Sequence, residues 1–276
     1  MAAHIKPKSA TTTAGEEENE GLRRAQPSPF VRRRKRGLEA RWRSHLDHRS
    51  GGDAPYGRGM SLADRTFAAV LFDNDGTLVD STGSVERSWV RWAVEHDIDP
   101  RTLVGHHGMP APAIIASVAP HLDPQLAFAR IEQLEVDDVE GVVALPGVLD
   151  AIAAIGVAPA AVVTSATREL ARVRLAAAGI GIAQVVTFDD VERGKPHPDP
   201  FLLAAQRLGV DPADCLVCED APSGVAAARA AGCAVLAVTT TSTPEELADA
   251  DLVVSSLADV VFEVVDGRVR LRPRQS

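Results

Sequence analysis

The chain contains 276 residues, of which 45% are hydrophobic and 24% are charged, and its formal net charge at pH 7 is −9. This composition is typical of a globular protein with one sizeable core and a smaller appended domain. Gly156 and Pro159 interrupt the best apolar run before it reaches the roughly 18 residues of a membrane helix, and no secretory signal pattern is found. We therefore expect a cytoplasmic protein, and its acidic body argues against nucleic acid as a substrate.

The first 59 residues differ from the rest of the chain, because they hold 13 Lys and Arg residues against seven Asp and Glu residues. They lack apolar periodicity, and residues 31–37 include a run of basic side chains, so we expect residues 1–59 to be a disordered basic extension. Met60 stands just before the first predicted strand, and one hypothesis is that translation naturally starts there. The alternative is a basic arm that binds nucleic acid or an acidic partner.

An apolar segment at residues 68–72 is followed by two carboxylates, Asp73 and Asp75. The segment has no polar face, which predicts a central strand of a parallel sheet, and such sheets bind ligands at the carboxyl ends of their strands. Period-2 alternation would place both carboxylates on one side and Asn74 on the other. Two close carboxylates are unfavourable without a shared proton or cation, which predicts a Mg²⁺ site. A calcium loop would need a further ligand before Gly76, whereas a purely structural turn stays an alternative.

Residues 82–144 follow this motif and are too numerous for a simple crossover, which predicts an inserted helical cap. Trp89 and Trp92 recur at near-helical spacing, so they belong to a predicted first cap helix. Two further helices are expected to begin near Pro110 and Pro124.

The loop at residues 104–110 lies between predicted cap helices and contains His106 and His107. Adjacent histidines rarely bind one metal ion, so a metal site there is the less favoured interpretation. The chain crosses between core and cap near residues 80–82 and again near residues 141–146, and we expect these crossings to act as hinges.

Two polar motifs follow apolar segments in the second half of the chain. Thr164 and Ser165 precede a helix that begins near Arg168, where a hydroxyl and backbone amides could bind an anion, although Ser and Thr also cap helices for structural reasons. Lys195 lies in a loop stiffened by Pro196. Most loop lysines are merely solvated, so Lys195 needs a partner before it has a function.

The last polar motif is Glu219 and Asp220, which end another apolar segment, although Asp220 could also be only a helix cap.

Cys215 and Cys218 in that segment are three residues apart, which places them on opposite faces of a strand and predicts core residues. The segments at 252–254 and 269–271 are expected to close the sheet edge. Strands near residues 160–164, 184–187, 215–218 and 234–238 alternate with Ala-rich helices, which predicts a doubly wound parallel α/β sheet.

An acid pair, a hydroxyl, a lysine and a second acid pair thus follow successive predicted strands. This order resembles the four motifs of the haloacid dehalogenase superfamily over roughly residues 67–232. Within the superfamily, the chain is most similar to the helical-cap phosphatases, which include bacterial sugar-phosphate phosphatases and yeast-type glycerol and deoxyglucose phosphate phosphatases. The resemblance rests on Val85-Glu-Arg-Ser-Trp89, His107-Gly108, Leu145-Pro-Gly147, Thr164-Ser165, Arg193-Gly-Lys-Pro196 and Glu219-Asp-Ala-Pro-Ser-Gly224.

The resemblance implies a Rossmann-like core at residues 60–81 and 145–276 and a helical cap at residues 82–144. It implies that Asp73 is the nucleophile and that Asp75 is the general acid and base. The carboxylates and the phosphate outweigh the cations in charge, so we expect Asp75 to hold a proton when substrate is bound. The remaining implied roles are phosphate binding by Thr164, Ser165 and Lys195, Mg²⁺ binding by Asp73, the backbone carbonyl of Asp75, Glu219 and Asp220, and substrate selection by His106, His107 and Gly108.

The implied function is a Mg²⁺-dependent phosphatase that hydrolyses a small phosphate ester, such as a sugar or polyol phosphate, through an aspartyl-phosphate. A halide leaving group needs no proton, so Asp75 argues against dehalogenation. Phosphohexomutases of the β-phosphoglucomutase type carry a His where this chain has Val85, so a mutase is the alternative, as is a non-catalytic sensor of a phosphorylated metabolite. The substrate and the oligomeric state stay open, with a monomer favoured.

Overall fold

The computed structural model describes residues 62–104 and 110–274. The predicted basic extension at residues 1–59 and Met60 lie outside the described residues. The strands, numbered in chain order, are β1 (Thr66–Phe67), β2 (Ala69–Phe72), β3 (Val79–Asp80), β4 (Val143–Ala144), β5 (Ala160–Val163), β6 (Gln184–Val186), β7 (Cys215–Glu219), β8 (Ala234–Val238), β9 (Leu252–Val254), β10 (Val260–Val265) and β11 (Arg268–Pro273). The α-helices are α1 (Thr82–Glu95), α2 (Ala111–Val118), α3 (Pro124–Asp137), α4 (Val148–Ile155), α5 (Arg168–Ala177), α6 (Asp199–Leu208) and α7 (Pro222–Ala230).

Six parallel strands form the central sheet in the order β6-β5-β2-β7-β8-β9. Every residue of β2, β7 and β8 is buried, as expected for strands that are covered on both faces. Alternate residues along these strands contribute to two separate apolar clusters, with Cys218 in one and Cys215 in the other. The predicted doubly wound α/β architecture and the placement of the two thiols on opposite faces are therefore confirmed.

A second, antiparallel sheet has the order β1-β11-β10. The prediction that residues 252–254 close the edge of the central sheet is confirmed, since β9 pairs with β8. The same prediction for residues 269–271 is wrong, because they belong to β11 and pair with β10. Asp266 and Gly267 form the two-residue turn of this hairpin, and both have positive φ. Asp-Gly is among the strongest signals for such a turn, so β11 pairs with the adjacent β10 and not with the central sheet.

Helices α1, α2 and α3 form a layer with its own apolar cluster, which we call the helical layer. Trp92 is fully buried there, and its indole Nε1 donates a hydrogen bond to the carbonyl oxygen of Ala127 at 2.9 Å. The chain enters and leaves the layer through β3 and β4, which pair as an antiparallel ribbon. Helices α2 and α3 begin at Ala111 and Pro124, close to the predicted starts. In the described part of the chain, no helix combines the length and the apolar character needed to cross a membrane.

Replacing Trp92 by Ala is expected to lower the free energy of unfolding by about 3–5 kcal/mol, because the change leaves a large cavity at the centre of the helical layer. Val90 lies on the same helix and is 48% exposed, so Val90→Ala is the control and should change the free energy of unfolding by less than about 0.5 kcal/mol. Chemical denaturation measures both values. Equal effects of the two substitutions would contradict the packing described here.

Candidate active site

The polar motifs meet at one edge of the central sheet, where the parallel strands end. Asp73 follows β2, Thr164 follows β5, and Glu219 ends β7, with Asp220 directly after it. Because β5, β2 and β7 are neighbours in the sheet, residues far apart in the chain become adjacent in space. Lys195 comes from the loop between β6 and α6 and reaches the same edge.

Lys195 lies between two carboxylates. Its Nζ donates a hydrogen bond of 2.7 Å to Asp73 Oδ1 and another of 2.7 Å to Glu219 Oε1, and its side chain is only 4% exposed. The Phe201 ring, 5.1 Å from Nζ, covers the ammonium group. Burial alone would lower the pKa of Lys195, but the adjacent carboxylates raise it above its usual value. Lys195 therefore carries its positive charge at neutral pH.

Asp73, Glu219 and Asp220 form a buried cluster in which one carboxylate oxygen of each lies within 4.8 Å of the others. Burial raises the pKa of Asp73 well above its usual value, with Glu219 and Asp220 adding to this effect and Lys195 opposing it. Burial and the nearby Glu219 raise the pKa of Asp220 to about 7. One lysine thus faces three acids, and the cluster is expected to bind a proton or a cation.

The donors around the cluster indicate which oxygens could bind a cation. Glu219 Oε2 accepts hydrogen bonds from the backbone amides of Asp220 and Ala221, while its Oε1 accepts from Lys195, so protein donors use both oxygens. Within the described part of the chain, the Asp220 carboxylate accepts hydrogen bonds from two hydroxyls, those of Thr77 and Thr241. Buried carboxylate oxygens with a net negative charge match the ligand preference of hard divalent cations. Asp73 and Asp220 are the residues best placed to provide direct ligands.

Two glycines make room for these carboxylates. A Cβ built on Gly76 would collide with the Asp220 carboxylate, and one built on Gly224 would collide with the Glu219 side chain. Gly76 also has a φ of +86°, which few other residues adopt. Gly224 lies in the first turn of α7, so its missing side chain lets that helix approach the end of β7.

The carboxylate of Asp75 has different partners from that of Asp73. Its Oδ1 accepts hydrogen bonds from Ser81 Oγ at 2.7 Å and Arg174 Nη1 at 2.9 Å, and Oδ2 accepts from Asn74 Nδ2 at 3.2 Å. Asp73 and Asp75 do not share one side of a strand as predicted, because β2 ends at Phe72 and a turn follows. In the described residues, the acid cluster does not include the Asp75 carboxylate.

Arg174 is a member of the site that the sequence motifs did not indicate. A signal was nevertheless present, since the buried face of α5 consists of Leu170, Ala171, Arg174 and Leu175, in which one charged residue interrupts an apolar stripe.

Thr164 and Ser165, the two hydroxyl residues after β5, lie in different environments. Thr164 is buried, and its Oγ1 accepts a hydrogen bond from the amide of Ala166 at 3.0 Å, so it stabilises the turn. Ser165 is exposed at the same edge of the sheet. The amide of Arg168, at the start of α5, donates to Asp189, so part of the predicted anion site is already used by the protein. The predicted specificity residues His106, His107 and Gly108 lie outside the described residues.

Comparison with known proteins identifies the family. Residues 67–232 match the haloacid dehalogenase-like hydrolases, and the chain belongs to this family, whose members generally use a divalent metal ion. The expected superfamily is thereby confirmed. The chain is 42% identical to hexitol phosphatase A of Escherichia coli over 69% of this chain and 91% of that protein. It is 32% identical to glycerol-1-phosphate phosphohydrolase 2 of Saccharomyces cerevisiae over 63% of this chain and 75% of that protein.

The fold of this chain also matches known crystal structures. The crystal structure of CbbY from Rhodobacter sphaeroides in complex with phosphate matches 70% of this chain and 96% of its own, with a TM-score of 0.63 and 24% sequence identity. This likeness confirms the α/β core with its helical layer.

The affinity of the acid cluster for a divalent cation is expected to rise with pH. Because the pKa of Asp220 is about 7, the cation-free protein below that pH holds a proton that the cation must displace, and above it the carboxylate is ionised. Titration calorimetry with MgCl₂ between about pH 5.5 and about pH 8 should show tighter binding at the higher pH. NaCl at matched ionic strength is the control, and an affinity independent of pH would contradict the prediction.

Gly224→Ala is expected to displace the Glu219 carboxylate and with it the hydrogen bond to Lys195. Overpacking of this kind lowers the free energy of unfolding by about 1–3 kcal/mol and should also weaken the binding of Mg²⁺. Gly181→Ala is the control, because a Cβ at Gly181 would have no neighbour within 4 Å. Denaturation and titration calorimetry test both variants, and equal behaviour would show that Gly224 is not needed for the cluster.

Proposed function

We propose that the protein is a Mg²⁺-dependent phosphatase that hydrolyses a small sugar or polyol phosphate through an aspartyl-phosphate on Asp73. The central supporting observation is the position of Asp73, which lies in a buried acid cluster beside the charged Lys195, while Asp75 is held two residues further on by other partners. The names of the relatives support this class of substrate, since they include phosphatases of hexitol phosphate and glycerol 1-phosphate.

The proposed reaction begins with attack of an Asp73 carboxylate oxygen on phosphorus, which displaces the sugar or polyol oxygen and forms the aspartyl-phosphate. Asp75 gives a proton to the departing oxygen and later takes one from the water that hydrolyses the intermediate. Lys195 offsets the negative charge of the phosphate and of Asp73. The exposed Ser165 is the hydroxyl that contacts the phosphate, whereas Thr164 supports the turn.

Magnesium is the cation that we propose for the acid cluster. When bound, it supplies charge stabilisation for the transferred phosphoryl group. Asp73 and Asp220 would hold it, together with the backbone carbonyl of Asp75. Glu219 adds negative charge and keeps Lys195 pointed at Asp73, since both of its oxygens accept hydrogen bonds from the protein.

The helical layer, with proposed bounds at residues 82–144, serves as the cap over a core of residues 60–81 and 145–276. It would exclude bulk water during phosphoryl transfer and open through the β3–β4 ribbon for product release. We place His106, His107 and Gly108 in the loop that selects the substrate. The proposed setting is cytoplasmic, with a small phosphate ester as the ligand and a monomer as the working unit.

The decisive experiment measures phosphate release from a panel of hexitol, hexose, pentose and glycerol phosphates with and without MgCl₂. Release should require the metal, should be abolished in Asp73→Asn, and should fall by about 10²–10⁴-fold in Asp75→Asn. Asp266→Asn is the matched control, because Asp266 lies in the β10–β11 turn at positive φ, a conformation that Asn also adopts, and should leave the rate unchanged.

Two results would contradict the proposal. Isomerisation of a hexose phosphate without net phosphate release would support the mutase. Absence of reaction with every ester, combined with binding of one of them, would support the metabolite sensor.

A further inference from the structure

Arg174 is a buried cation at the junction between the core and the helical layer. It lies on α5 of the core, is 4% exposed, and donates from Nη1 to Oδ1 of Asp75 at 2.9 Å. Ser81 Oγ donates to the same oxygen at 2.7 Å. Two donors from different parts of the chain therefore determine the orientation of the Asp75 carboxylate.

The other side of the guanidinium group faces the helical layer. Arg174 Nη2 lies 3.6 Å from Oε1 of Glu135, a buried residue of α3. Burial raises the pKa of Glu135 to about 7, and the charge of Arg174 opposes this effect. Arg174 thus bridges a carboxylate of the core and a carboxylate of the layer. Arginine suits this position, because its planar group presents donors to two sides at once and keeps its charge when buried.

Stability alone does not account for this arrangement. Nε and Nη2 of Arg174 have no hydrogen-bond partner among residues 62–104 and 110–274. Buried polar donors are rarely left without a partner, and an apolar side chain on this face of α5 would continue the stripe formed by its neighbours. Among the described residues, Arg174 therefore leaves two buried donors without a hydrogen bond where an apolar side chain would leave none, which points to a role at the site rather than in packing.

We propose that Arg174 is a positioning residue that holds Asp75 in the orientation needed for proton transfer to the leaving group, and that Glu135 links this orientation to the helical layer. The inference rests on the proposed phosphatase function and adds a residue to its site. Asp75 is then correctly oriented only when α3 lies against α5, so the acid is in place when the layer covers the site.

The experiment compares two kinds of phosphate ester. The leaving group of a polyol phosphate must be protonated, whereas p-nitrophenyl phosphate or acetyl phosphate releases a stabilised anion that needs no proton. Arg174→Gln should lower kcat/KM for the best polyol phosphate of the panel by about 10²-fold, the size of a general-acid contribution. It should lower kcat/KM for the activated esters by less than about threefold, because kcat/KM reports only the steps up to loss of the leaving group.

Arg172→Gln is the matched control, since Arg172 lies on the same helix but forms an exposed ion pair with Glu169. It should change neither value. Arg174→Lys keeps a cation beside Asp75 and should recover part of the loss with the polyol phosphate. Glu135→Gln should reproduce the selective loss in weaker form when assayed at about pH 8, where the Glu135 carboxyl is ionised, because Gln retains the shape of Glu135 but has no charge. Circular dichroism and thermal melting show whether each variant folds. If Arg174→Gln does not fold, the comparison is made with Arg174→Lys and Glu135→Gln.

An equal loss with both kinds of ester in the folded variants would overturn the inference and leave the phosphatase proposal intact. If the wild-type protein hydrolyses neither kind of ester in the presence of MgCl₂, both proposals fall together. A selective loss with the polyol phosphate, absent in Arg172→Gln, would support the positioning role.

Discussion

The imbalance of buried charge at the carboxyl edge of the central sheet is the constraint on which the site depends. Asp73, Glu219 and Asp220 lie within 4.8 Å of one another and have Lys195 as their shared cation. Removing several charges from water destabilises a folded protein unless other groups compensate for the lost hydration. Here the compensation comes from the ammonium group, from hydroxyl and amide donors, and from the raised pKa values of two of the acids. Such a site is ready to exchange a proton for a cation.

The surrounding fold is suited to holding these charges together. The residues of the cluster lie up to 147 positions apart in the sequence. Asp73 directly follows the buried strand β2, and Glu219 and Asp220 lie at the end of the buried strand β7. Lys195 lies in a loop that its hydrogen bond to Asp73 fixes to the same edge. The carboxylates are held close together because they lie at the ends of β2 and β7, two buried strands that pair directly in the sheet. Gly76 and Gly224 add the space for these carboxylates without loosening the packing elsewhere.

The ends of the strands and the polar residues that follow them could be predicted from the sequence. Buried parallel strands have unbroken apolar sequences, so the first polar residue marks the end of each strand. The pairing of β11 could not be predicted by that reasoning, since it depends on a two-residue turn at Asp266 that competes with the sheet edge. The division of labour between Thr164 and Ser165 depends on a single turn hydrogen bond. Arg174 could not be predicted, because it belongs to no motif and its partner Glu135 lies 39 positions earlier on another helix.

Asp73 and Asp75 both lie within three residues of the end of β2, yet their carboxylates have different surroundings. Asp73 lies beside Lys195 and two further acids. These surroundings suit the nucleophile that we propose, because an anion needs nearby cations to approach a phosphate. Asp75 accepts hydrogen bonds from Ser81 at the entry to the helical layer and from Arg174 of α5, which hold the carboxylate that we propose as the general acid and base. The chain turns at Asn74, whose carbonyl oxygen accepts hydrogen bonds from the amides of Thr77 and Leu78, so strand alternation ends before Asp75. The two acids therefore have different surroundings because the chain stops being a strand after Phe72, and the two roles that we propose for them depend on this difference.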